Sequence, residues 1–200
     1  MDVKKVLLLH GWTNKRPEGH WMRITAASLR SQGHQVWYPQ FPEPDNPEPA
    51  DWQELLRQEA NMMDEVDGEE KIVIAHSLGT INWLFGSLGN IFNRPFDRTL
   101  LVAIPELIPS EDGPQIKGEP LDFASPALHK NLRTWGGRVT AIASDKDGWQ
   151  PNGIGFYSPL ELEQVIFEGA GHFSLGDGWG RWQGVERWVR TGLNSELLNR

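Results

Sequence analysis

Residues 72–79, Ile-Val-Ile-Ala-His-Ser-Leu-Gly, decide how this sequence is read. Ile72-Val73-Ile74-Ala75 is a short aliphatic run with the look of a strand covered on both faces. After it, Ile81, Leu84, Phe85 and Leu88 recur at helical spacing. Between the two lies Ala75-His76-Ser77-Leu78-Gly79, the G-x-S-x-G pattern with alanine in first place. A serine at the tip of a strained strand-to-helix turn needs small neighbours, because strand and helix must approach closely there. The helix that follows aims its first amides at the serine, which favours negative charge developing beside it.

Working outward, short apolar runs alternate with helical patterns. Strands are expected at Val6–Leu9, Gln35–Tyr38, Ile72–Ala75, Leu100–Ile104, Val139–Ala143 and Val165–Phe167. Helices are expected over about 20–32, 50–66, 78–89 and 181–198, the last with Trp182, Val185, Trp188, Val189 and Leu193 on one face. This alternation predicts an α/β fold: a six-stranded, mostly parallel sheet with helices on both faces. The whole chain, 1–200, reads as one domain, with no internal repeat and no long linker. Residues 39–49 carry five prolines and read as an extended loop. Residues 105–126 are the one candidate lid.

A serine nucleophile needs an acid and a base, each after a later strand. The strand at 139–143 runs into Ser144-Asp145-Lys146-Asp147-Gly148-Trp149, and that at 165–167 into Glu168-Gly169-Ala170-Gly171-His172. Order and position both fit, since open α/β sheets bind ligands at the carboxyl ends of their strands. His172 is the expected base, although a histidine among glycines also serves as a plain turn residue. His76 points elsewhere on the turn, His34 and His129 fall in expected surface segments, and His10 and His20 belong to the first loop. Asp145 and Asp147 share one loop, and the residues alone leave both open as the acid. Their D-x-D-G string matches half of a calcium loop, with the remaining ligands missing.

The first strand ends in His10-Gly11-Trp12. An amide from this loop and the amide after the nucleophile together make an oxyanion hole, so Trp12 and Leu78 are the expected donors. Four tryptophans flank these loops: Trp12, Trp149, Trp179 and Trp182. With His10 and Gly11, the last three are candidates for a small aromatic pocket.

Composition narrows the partners. The net charge is −8, with −4 in each half of the chain and no basic patch, which argues against nucleic acid and anionic membranes. No cysteine is present, excluding disulfides, thiolate metal sites and a thiol nucleophile, and a reducing cytoplasm suits such a chain. The longest aliphatic run, Leu100–Ile104, is too short to span a bilayer, and the charged start does not read as a signal peptide. Neither a G-x-G-x-x-G nor a Walker string follows the first strand, so a nucleotide-binding doubly wound fold ranks last.

Taken together, these residues resemble a known group. His10-Gly11-Trp12, His20-Trp21, the proline-rich loop before Trp52, Ala75–Gly79, Ala143-Ser144 with Asp147, and Gly171-His172 with Gly180 and Trp182 are similar to the small α/β-hydrolases related to retinoblastoma-binding protein nine and the bacterial YdeN proteins. The resemblance implies an α/β-hydrolase core without a separate cap domain, in strand order 2-1-3-4-5-6. It implies serine hydrolase activity on unidentified substrates, and the two-step acyl transfer expected of the triad calls for a small-molecule acyl substrate with no cofactor and no metal. It selects Asp147 as the acid, although Gly148 stands where a proline often follows in the family. Pocket-protein binding through L-x-C-x-E is excluded here by the lack of cysteine. The competing expectation is a binding protein that keeps the site's shape without its chemistry.

Overall fold

The computed structural model describes residues 2–107 and 120–200. Six strands form the sheet: β1 (Lys4–Leu9), β2 (Gln35–Trp37), β3 (Glu70–His76), β4 (Arg98–Val102), β5 (Arg138–Ser144) and β6 (Glu163–Phe167). Their order is β2-β1-β3-β4-β5-β6, as expected, and every neighbouring pair is parallel. The expectation of a mostly parallel sheet is thus met by a wholly parallel one. Parallel neighbours need a crossover. Helices α1 (Trp21–Ser31), α2 (Pro49–Met62), α3 (Leu78–Leu88) and α4 (Pro126–Trp135) supply it between successive strands from β1 to β5, a 3-10 segment (Ile154–Leu160) lies between β5 and β6, and α5 (Gln183–Thr191) follows β6.

The aliphatic strands hide a period of two, because both faces are covered. In β1, Leu7 and Leu9 join Val73, Ala75, Leu101 and Ala141 beneath α2, α3 and α4, with Trp52, Leu56, Ile81, Leu84 and Leu128. Val6 and Leu8 join Ile72, Ile74, Leu100 and Ile142 beneath α1 and α5, with Trp21, Leu29, Val185 and Trp188. Helix starts follow local chemistry. Proline occupies the first turn of α2 and α4, where its missing N–H costs nothing. His20 caps α1 by accepting the Met22 amide on Nδ1 at 3.2 Å.

Two expectations change. The helix foreseen over 181–198 ends at Thr191, because Gly192 takes φ 73° and turns the chain left-handed. A separate 3-10 turn, Asn194–Leu198, follows, and Leu193 is exposed rather than on the buried stripe. Helix α4 was not foreseen; it buries only Leu128 and Leu132. Most of the candidate lid over 105–126 lies outside the described residues.

Candidate active site

The site is assembled from four loops at the carboxyl ends of β1, β3, β5 and β6. Ser77 stands between β3 and α3 with φ 53° and ψ −129°, a conformation an L-residue adopts only under constraint. Its N–H donates to Val102 O at 2.9 Å, and its carbonyl accepts from the Thr80 amide at 2.8 Å and the Thr80 hydroxyl at 2.7 Å. Close packing holds the turn from below. A Cβ on Gly79 would lie 2.7 Å from His10 O, and one on Gly11 would lie 2.6 Å from Ser77 Cβ. Only glycine fits either place, whereas position 75 has room for the alanine methyl, fully buried under the sheet.

Ser77 Oγ lies 2.7 Å from His172 Nε2. His172 Nδ1 lies 2.8 Å from both Asp147 oxygens, which fixes the proton of the neutral ring on Nδ1 and leaves Nε2 to accept from serine. The Asp147 side chain is fully buried, and Oδ1 also accepts the Trp149 amide at 2.9 Å. Three residues from separate loops therefore form one hydrogen-bonded line. Asp145, the other candidate acid, turns the opposite way: its Oδ1 accepts the Gly169 amide at 2.6 Å. Since the two carboxylates diverge, they do not build a calcium loop.

The Trp12 amide has no backbone acceptor among the described residues, and Leu78 opens α3, where first-turn amides lack helical partners. Trp12 also lies at the mouth of the site. Its ring meets Trp149 edge-on at 5.7 Å, and Trp149 stands 6.1 Å from the His172 ring and is partly exposed. The Trp12 indole N–H donates to Asp45 O at 3.0 Å, so the proline-rich loop steadies this wall.

Three pocket candidates do not reach the site. His10 is fully buried, with Nε2 accepting the Phe41 amide at 2.8 Å and Nδ1 2.9 Å from Gly11 O. Burial lowers its pKa to about 4, despite the Gly11 carbonyl bond. It is a core residue that pins the loop carrying Gly11 and Trp12. Trp179 and Trp182 are buried on the α1/α5 side, their indole N–H groups donating to Ala170 O and Leu197 O. Each hides roughly 200 Å² of ring, on the order of 4–5 kcal/mol by area, and facing a wet pocket would forfeit part of that. His34 is also buried, accepting the Lys4 amide, and is no surface residue. His129 lies beside a cavity of about 240 Å³ at the amino ends of β5 and β6, away from Ser77.

Sequence reasoning missed the residues that hold this geometry in place. Ser144 Oγ accepts the Ala170 amide at 3.0 Å and the Lys146 amide at 3.1 Å, tying the acid loop to the base loop. Asp177 accepts the His172 amide at 3.0 Å. Its carboxyl is held below its ordinary value: partial burial raises it, but hydrogen bonds from Ser174 and His172 outweigh that. A carboxylate five residues after a histidine in a glycine-rich loop was the available signal.

Comparison with known proteins bears on this arrangement. A family model described as serine hydrolase matches residues 6–191. No curated protein sequence matches the chain. Among solved structures, the ydeN gene product of B. subtilis superposes with a TM-score of 0.69 at 18% identity, covering 94% of this chain and 98% of its own. A protein described as a YdeN-like hydrolase from Pectobacterium atrosepticum gives 0.66 at 20% identity, covering 99% and 94%. An esterase domain from a Rhodothermus marinus protein gives 0.62 at 16% identity, covering 94% and 86%. At these identities the likeness establishes the α/β-hydrolase fold. With the family model spanning nearly all of it, the chain belongs to the serine hydrolase family.

Proposed function

We propose that this hydrolase cleaves small carboxylic esters through a Ser77-His172-Asp147 triad and an acyl-enzyme. The observation that carries the reading is the line Ser77 Oγ–His172 Nε2 at 2.7 Å and His172 Nδ1–Asp147 at 2.8 Å. Ser77 Oγ attacks the substrate carbonyl carbon while its proton passes to His172 Nε2. The Trp12 and Leu78 amides receive the oxyanion. Collapse of the tetrahedral adduct expels the alcohol, which takes the proton from His172. Water then repeats the sequence: His172 accepts its proton, the hydroxyl attacks the acyl carbon, and Ser77 regains its hydrogen as the acid leaves. Asp147 keeps the ring in the tautomer that can accept and stabilises the imidazolium.

The mouth formed by Trp12 and Trp149 supports an uncharged, short acyl or aryl group, bound by apolar area at roughly 25 cal/mol per Å². Fluorophosphonate labelling tests the reading against that of a binding protein with a silent site. Wild type should label and hydrolyse p-nitrophenyl acetate, and Ser77→Ala should lose both, with a rate loss on the order of 10⁴–10⁶. Undiminished labelling of Ser77→Ala would overturn the assignment.

A further inference from the structure

His172 sits where the backbone has no ladder to hold it. Gly171 and Phe173, on either side, have φ 62° and 55°. Side chains take over both of its peptide groups. The N–H donates to Asp177 Oδ2 at 3.0 Å, and the carbonyl accepts from His76 Nε2 at 2.8 Å. Asp177 Oδ2 also takes the Ser174 amide at 3.1 Å and the Ser174 hydroxyl at 2.7 Å, closing the loop on itself. His76 comes from the other direction, one residue before Ser77.

The chemistry of His76 is informative. A carbonyl oxygen only accepts, so the proton of the neutral His76 ring is on Nε2. Burial holds this histidine well below its ordinary value, and the nearby His172 pushes the same way. Nδ1 is then a bare lone pair, buried and without a protein partner among the described residues. Leaving such an atom unsatisfied is costly, and an apolar side chain of similar size would avoid the cost. Rings surround the His76 ring, with the centroid of His172 at 5.2 Å and those of Trp21 and His20 at 5.7 Å from its own. What His76 contributes in exchange is one N–H, directed at the main chain of His172. A neutral ring there also leaves an imidazolium at His172 unopposed.

We propose that His76 and Asp177 are positioning residues for the base, clamping the two peptide groups of His172 so that Nε2 stays on Ser77 Oγ. The proposal rests on reading His172 as the general base. Because His76 adjoins Ser77, nucleophile and base become parts of one piece, and their separation cannot drift as the loop moves.

The test compares donor removal with donor rescue in the full-length protein. His76→Leu deletes the donor at similar volume, while His76→Gln returns an amide N–H at similar reach. Asp177→Ala and Asp177→Asn form the matching pair, since the Asn oxygen still accepts the His172 amide. Two readouts are taken: kcat and KM on p-nitrophenyl acetate, and the proton NMR signal of His172 Nδ1–H against Asp147, which needs no substrate. His76→Leu should lower kcat on the order of 10- to 100-fold with KM nearly unchanged, the cost of a small misplacement of reacting groups. It should also move or broaden the Nδ1–H signal, and His76→Gln should recover most of both. An unchanged kcat and signal in His76→Leu, or a His76→Gln no better than His76→Leu, would overturn the proposal. If His76→Leu does not fold, the Asp177 pair decides by the same criteria. A wild type that neither labels with fluorophosphonate nor turns over ester overturns the esterase reading instead, and the Nδ1–H signal of the variants still judges the clamp.

Discussion

Acid should destabilise this protein first through its buried histidines. Burial lowers His10 from 6.5 to about 4, and the charge of Arg16 adds to this against the Gly11 carbonyl bond. Burial, with a smaller push from His10, likewise lowers His20 from 6.5 to about 4. Both folded values lie below the unfolded one. Between pH 6.5 and 4 the unfolded chain therefore binds protons that the folded chain does not. Stability is full above that window and falls as pH drops through it. At pH 5 the unfolded imidazole is almost wholly protonated and the folded one about a tenth, so each histidine removes ~2 kcal/mol relative to pH 7. Together they remove ~4 kcal/mol, a large share of the 5–15 kcal/mol typical of a folded domain. His76 and His34, also shifted down by burial, act in the same sense. Glu70 and Asp177 are held low, so their contribution is lost as pH falls through and below their ordinary values of 4.5 and 3.8, beneath the pH 5 measurement. The assay is urea unfolding followed by tryptophan fluorescence at pH 7 and pH 5. With a slope of about 2 kcal/mol per M, the midpoint should fall by roughly 2 M. His20→Asn keeps an acceptor for the Met22 amide and removes one titration, so its pH dependence should shrink by ~2 kcal/mol. Equal midpoints at the two pH values, or a His20→Asn variant with the wild-type dependence, would refute the reasoning.

The paired acids give a second test. Asp147→Asn should cut kcat by about 10⁴, because an amide facing Nδ1 forces the wrong tautomer, whereas Asp145→Asn, at a carboxylate that accepts the Gly169 amide, should cost less than tenfold. Reversed effects would make Asp145 the acid. In a series of p-nitrophenyl esters, kcat/KM should peak between acetyl and butyryl with no jump at the micelle concentration, and a peak at decanoyl or longer would sink the small-pocket argument.

What could be read in the sequence was whatever depends on local sterics and strand order. Ala75 and Gly79 are small for a reason that any strand-Ser-helix turn imposes, and the aliphatic runs declared a sheet covered on both faces. The choice between Asp145 and Asp147 was not local. Both leave the same strand end, and which one turns inward depends on where β6 puts Gly169 and His172. Nearness in sequence misled for His10, Trp179 and Trp182. A residue next to a site loop has even access to the site and to the core beneath it, and large apolar area sends the indoles to the core. Helix α4 escaped because Leu128 and Leu132 are too thin a stripe to stand out between two loops. His76 and Asp177 were hard to single out because they serve main-chain groups, which every residue carries; Asp177 left only its place five residues after His172.

The wholly parallel sheet also sets the order in which the protein can come together. Among the described residues it contains no hairpin, so no pair of its strands can zip from a short turn, and each pairing must first close a loop that includes an α-helix or, for β5–β6, a 3-10 segment. Chains dominated by such distant contacts fold slowly. The central β1–β3 pairing joins Lys4 to Glu70, and β6 can dock only after β5 is in place. Ser77 meets a partner 95 residues further along the chain. The elbow can form early, but it waits for the last strand and its loop before Ser77 Oγ meets His172 Nε2. Recovery of hydrolase activity during refolding should therefore trail the return of helical circular dichroism, and so time the arrival of the sheet's far edge.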